Sequence, residues 1–345
     1  MHKKQGYILF LLFGILSVCS VLISLYFSRV VIYRQLMQQL IAQQQAATMN
    51  MSGIALAQTL IIPEQKEEEE QQTPKQAQPK GPEQIDSKTL MKLFPYFNKE
   101  KAHELTAAAD GIQATLTLGV QSEQGKLNIN SLYDLEKKKF VNEGQQQGDK
   151  KKLCVWLFNQ IATITGKPNL LQPFEQYMKN RTYDLNDVTE LLSIKEFSEQ
   201  FCDNLFFSPT DSKTKKLFLT DIFTVCSEQE TITPLLLSPS WCILLGLQPK
   251  QTMTPEELQK FFAALKIDNK WETDWNSSLQ GFYQKDYKDL AQEIKSILTT
   301  RYEANIFSLL LKTKIGETNS TIFTIVKTNT KQHLLGFDII KTYQI

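Results

Sequence analysis

The residue types that could do chemistry are few in this chain and poorly spaced for it. The three histidines, His2, His103 and His333, have no carboxylate at ligand spacing, which argues against a zinc site or a histidine-based catalytic triad. No glycine-rich phosphate loop, G-x-S-x-G elbow or HExxH pair occurs. Ser212 to Lys215, "SKTK", matches the S-x-x-K of serine acyl enzymes but lacks the accompanying S-D-N and K-T-G elements, so it reads as a chance match. Asp184, Asp187 and Glu190 are loop carboxylates of the kind calcium uses, but helix capping accounts for the same residues more simply. Of the five cysteines, Cys19 lies in an apolar run, whereas Cys154, Cys202, Cys226 and Cys242 are spread over the polar remainder with no CxxC spacing. In an oxidising compartment these four could form up to two disulfides; buried reduced thiols are the alternative. The expectation is a non-enzyme without a cofactor.

Long elements dominate the chain instead. Lys+Arg of 38 against Asp+Glu of 37 leaves no global field for nucleic acid or an anionic surface. Tyr7 to Phe27 is a stretch of about 21 uncharged residues, enough at 1.5 Å per residue to cross a hydrocarbon core of roughly 30 Å once. Lys3 and Lys4 precede the span and Arg29 and Arg34 follow it, so charge does not set its orientation. The run exceeds the apolar core of a cleaved secretory signal, and good helix formers follow it, with apolar Leu36, Leu40, Met51, Ile54 and Ala55 among them. The helix is therefore expected to reach about Leu60. Gly14 and Ala42 would let other helices approach it closely.

Pro63 to about Ile85, including Glu67 to Glu70, has almost no apolar residue and reads as a linker, drawn from 62 to 100. From Gly111 the period becomes two: "IQATLTLGV" and "KLNINSL", joined by "SEQG", predict a β-hairpin with Leu127 and Ile129 on one face. Residues 134–300 read as helices broken at prolines. Among them are "LNDVTELLSIKEFSEQFCDNLF", capped by Asn186 or Asp187 with Glu190 at the capping-box offset, "SPSWCILLGL", and "TPEELQKFFAALKI" with Thr254 as cap and Pro255 at N1. Residues 301–345 return to strands, paired around "GETN". The expectation is an α+β chain: a long N-terminal helix and a small antiparallel sheet, 101–133 with 301–345, interrupted by a large helical insertion. Of the four tryptophans, Trp156, Trp241, Trp271 and Trp275, most are expected in the core.

The order of these parts resembles the large minor pseudopilins of type II secretion systems, the GspK (general secretion pathway protein K) family. "KKQGYILFLLFGIL" is similar to a prepilin leader, residues 1–6, followed by the pilin-like helix 7–61 with its transmembrane part at 7–27. The resemblance implies that prepilin peptidase cuts after Gly6 and methylates the new amino terminus at Tyr7. Most pilins carry Glu at the fifth mature position; Leu11 stands there, a departure shared by K subunits and a marker of a tip subunit. "GIQATLTLGVQSEQGKLNINSL" resembles the family's first turn and N-L-N-x-L strand, and "ANIFSLLLKTKIGETNSTIFTIVKT" its closing strands. Ile232, Thr233 and Pro234 depart from the family's I-N-x-N-T-A pattern, and the linker is longer. Some members bind calcium in the insertion, but the matching region offers only Glu175, so that site is not carried over.

What the resemblance implies is a single-pass protein of the bacterial inner membrane with its soluble part in the periplasm. It would initiate assembly of the pseudopilus from its tip, beside minor pseudopilins of I and J type and the major pseudopilin, and support export of folded secreted proteins. The alternatives are a minor pilin of a type IV pilus, or a bitopic periplasmic enzyme or binding protein with an uncleaved signal anchor.

Overall fold

The computed structural model describes residues 3–61, 93–94, 96–107, 112–145, 148–207, 216–227, 229–250, 253–264, 275, 279–298, 305–329 and 336–345. Helix α1, Lys3–Ile61, is continuous over 59 residues, about 88 Å. The strands of the main sheet are β1 (Glu100–Ala107), β2 (Ile112–Ser122), β7 (Ile306–Ile315), β8 (Thr318–Asn329) and β9 (Gly336–Gln344), numbered to allow for short pairs in the insertion. Their order is β1-β2-β7-β8-β9, antiparallel throughout, so the sheet is an up-and-down meander whose β2–β7 connection holds the helical insertion. The α+β class and the closing hairpin at Gly316–Glu317 are as the periodicity predicts.

The predicted hairpin of 112–120 with 126–132 does not form. β2 pairs with β1 and β7, and the "SEQG" turn is a 3-10 helix, Glu123–Gly125, that leads away from the sheet. Beyond it β3, Leu127–Asn128, pairs in parallel with β6, Phe223–Thr224, inside the insertion. Leu127 and Ile129 are both buried in the main hydrophobic core, as the alternation requires. β2 pairs instead with the distant β7, whose residues from Ile306 to Leu311 are buried on both faces.

The linker also ends sooner than expected. Residues 62–92 lie outside the described residues, but Leu93 and Tyr96 are buried and Phe97 bridges Val120. Within the insertion, β4 (Tyr133–Asp134) and β5 (Lys139–Phe140) make a small ladder, followed by α2 (Lys150–Thr165), α3 (Leu171–Lys179), α4 (Lys195–Phe201), α5 (Leu219–Ile222), α6 (Pro239–Leu244) and α7 (Pro255–Ala264). The stretch expected as one helix from Leu185 is two, a 3-10 turn at Val188–Ser193 and then α4, because Ile194 is extended (ψ 121°). Its cap is the one anticipated: Asp187 and Glu190 form a reciprocal capping box, as do Thr254 and Glu257 ahead of α7. Trp241 and Trp275 are fully buried and Trp156 partly so, stacked on Trp241; Trp271 lies outside the described residues.

Candidate assembly interface

α1 changes character along its length. From Phe10 to Ile41 the apolar side chains are exposed, Leu11 among them at 50%. From Ala46 onward one side is buried: Ala46, Asn50, Gly53, Ile54, Ala57 and Ile61 face the sheet, while Met51 and Ala55 point away from it. This spacing of three and four residues is one helix face. Three of the six residues are Ala or Gly, which lets the backbone lie close: a Cβ at Gly53 would stand 2.7 Å from the Leu311 side chain.

Asn50 fixes the position of the helix on the sheet. It is fully buried; its Oδ1 accepts from Thr313 Oγ1 (2.7 Å) and its Nδ2 donates to Ser320 Oγ (3.0 Å), so one side chain holds both β7 and β8. The amide's remaining cost of burial is offset only while both hydroxyls stay in place. No motif marks Asn50; the signal was a polar residue in a stripe of small ones.

A second polar cluster fastens the insertion to the sheet. Lys126 and Glu123 form a buried ion pair (2.5 Å), Lys126 donates to Ser308 Oγ on β7 (3.0 Å), and the Thr224 hydroxyl donates to Glu123. Fully buried Asp221 accepts from Gln121 Nε2 and from the Ser240 N–H, both at 2.7 Å. Burial raises its pKa, opposed by Lys126 and these donors. Gly125 makes the closest approach: a Cβ there would lie 1.6 Å from the Leu236 carbonyl oxygen.

Asp187 and Glu190 are spent on structure. Asp187 Oδ2 accepts from Lys341 Nζ (3.0 Å) and the Tyr343 hydroxyl of β9, and Glu190 accepts from Arg181 (2.8 Å). Half-burial works to raise the Asp187 pKa, but the Tyr343, Thr189 and Lys341 bonds outweigh it and hold the carboxyl below its ordinary value. No group of three or more His, Cys, Asp or Glu able to hold a metal occurs among the described residues. The five cysteines are free rather than bridged; Cys154 and Cys242 are buried, which pushes their thiols up out of the reactive range, and burial takes Cys226 to about 11. His103 is stacked on Tyr96 at 5.8 Å, its Nε2 buried without a partner; His2 and His333 lie outside the described residues. Gly6 and Tyr7 fall within α1, and Ser212 to Lys215 lie outside the described residues.

No family model matches the chain, and no curated protein matches it. The chain is similar to one chain of the GspK-GspI-GspJ complex. That crystal structure, from the type 2 secretion system of enterotoxigenic Escherichia coli, is matched over 92% of this chain and 99% of its own, at 11% identity and a TM-score of 0.43. At those values the likeness is one of general layout only.

Proposed function

We propose that the protein is a membrane-anchored subunit of a helical assembly, a minor pseudopilin at the tip of a type II secretion pseudopilus. There it would initiate assembly with minor pseudopilins of I and J type and the major pseudopilin, and support export of folded proteins. One observation carries the reading: exposed apolar residues outlast the bilayer. The span from Tyr7 to Phe27 fills the hydrocarbon core, yet Val30, Val31, Ile32, Tyr33, Leu36, Met37, Leu40 and Ile41 continue the exposure for about another 20 Å. Lipid tails cannot cover that length, and an apolar surface of this size in water marks a protein contact. Helices of other subunits are the covering that the proposed role supplies.

In this reading prepilin peptidase processes the chain at Gly6, Tyr7 becomes the methylated amino terminus, Leu11 suits a subunit with no neighbour's ammonium to compensate, and the folded part lies in the periplasm. The test is the intact mass and amino-terminal sequence of the protein from its native membrane. N-methylated Tyr7 is expected; a chain retaining Met1 to Gly6 would sink the pseudopilin reading and favour an uncleaved anchor.

A further inference from the structure

Where α1 leaves the apolar span, one stripe of its exposed residues keeps a regular spacing. Tyr26, Val30, Tyr33, Met37 and Leu40 follow one another at intervals of four, three, four and three residues, all exposed, while Gln35, Gln38 and Gln39 lie away from this stripe, together with exposed Val31 and Ile32. This is the spacing that a seam in a left-handed helix pair requires, with Val30 and Met37 at a positions and Tyr33 and Leu40 at d. In that register Arg29 falls at g and Arg34 at the following e, the two positions that flank a seam and face each other across a parallel pair. Both are exposed.

A second copy of this chain, anchored in the same bilayer and therefore parallel, would set Arg29 against the other copy's Arg34 on both sides of the seam. Like charges there oppose pairing and opposite charges favour it. We propose that this seam takes one parallel helix of a different subunit, one carrying carboxylates beside its own apolar seam just past the membrane, and rejects a second copy of this chain. The inference rests on the assembly reading above and adds the chemistry of the partner.

The chain itself can serve as the probe. In full-length protein with Cys19→Ser and Cys202→Ser, Met37→Cys places a thiol at an a position, where two parallel helices come close enough for a disulfide. The arginine form and an acidic form carrying Arg29→Glu and Arg34→Glu, each with Met37→Cys, are expressed separately and together, and the membranes are oxidised. The expected result is a disulfide-linked dimer in the mixed membranes at least tenfold more abundant than in either single expression. An arginine form that links to itself as well as the mixed pair does would overturn the charge selection, and a mixed pair that fails to link while both chains are present would overturn the seam. The head is the same in every arm, so its bulk cannot produce the difference. Because the amino-terminal mass is read on the same samples, an uncleaved Met1 would reject the pseudopilin assignment without deciding the seam.

Discussion

Asn130 grips the backbone of Leu185 with both ends of its amide. Its Oδ1 accepts from the Leu185 N–H and its Nδ2 donates to the Leu185 carbonyl, each at 2.9 Å. Two residues earlier, Asn128 caps the next turn by accepting from the Asn130 N–H (3.0 Å) and donates to the Ser227 carbonyl (2.6 Å). The paired asparagines of "LNIN" thus fasten three separated parts of the insertion together. Asn130→Ala would leave a backbone N–H and C=O without partners, at a cost of about 1–3 kcal/mol. Denaturant unfolding of the full chain in detergent should show the midpoint falling with the slope unchanged.

Two glycines should respond differently to the same methyl group. Gly125→Ala drives a Cβ into the Leu236 carbonyl, which is backbone and cannot swing aside, so we expect failure to accumulate as folded protein. Gly53→Ala meets only side-chain ends, Leu311 at 2.7 Å and Leu116 at 3.1 Å, and should fold with a modest loss of roughly 1–3 kcal/mol. Protease resistance of the two variants in membranes separates the outcomes.

The buried Glu123–Lys126 pair should behave as a unit. Lys126→Met leaves Glu123 charged and unpaired and should cost about 3–5 kcal/mol, whereas Lys126→Met with Glu123→Gln should recover much of the loss. A double-mutant cycle by chemical denaturation reads the coupling; independent, additive effects would contradict the pairing.

Asp187 links stability to pH. Its carboxyl is held below the ordinary value by Tyr343, Thr189 and Lys341, so the folded state favours the ionised form. The resulting stabilisation is complete above the unfolded-chain pKa of about 3.9 and is lost as pH falls through the folded value. Asp187→Asn should therefore be less stable than the native chain at pH 7, with the gap closing below pH ~4. A gap that does not change with pH would show that the carboxylate's charge plays no part.

α1, the alternating strands and both capping boxes were legible because each follows from a local period or a pair of residues three apart. The partner of β2 was not. "KLNINSL" has the alternation of a strand, but its asparagines bond to Leu185 and Ser227, far along the chain, and no local period encodes that. Asn50 and Asp221 were missed for a related reason, since a lone polar residue is marked as buried only by hydroxyls and amides that the fold brings to it.

The insertion leaves β2 and returns to β7 at paired positions, for Ser122 and Phe307 are register partners. Its entry and exit therefore stand side by side, as the two ends of a tight hairpin loop would. Over evolutionary time such a segment can lengthen, shorten or be exchanged without shifting the register of any strand. In genetic terms the β2–β7 hairpin is a permissive site, and the helical block can diverge to suit its partners while the sheet and the helix that carries it stay as they are.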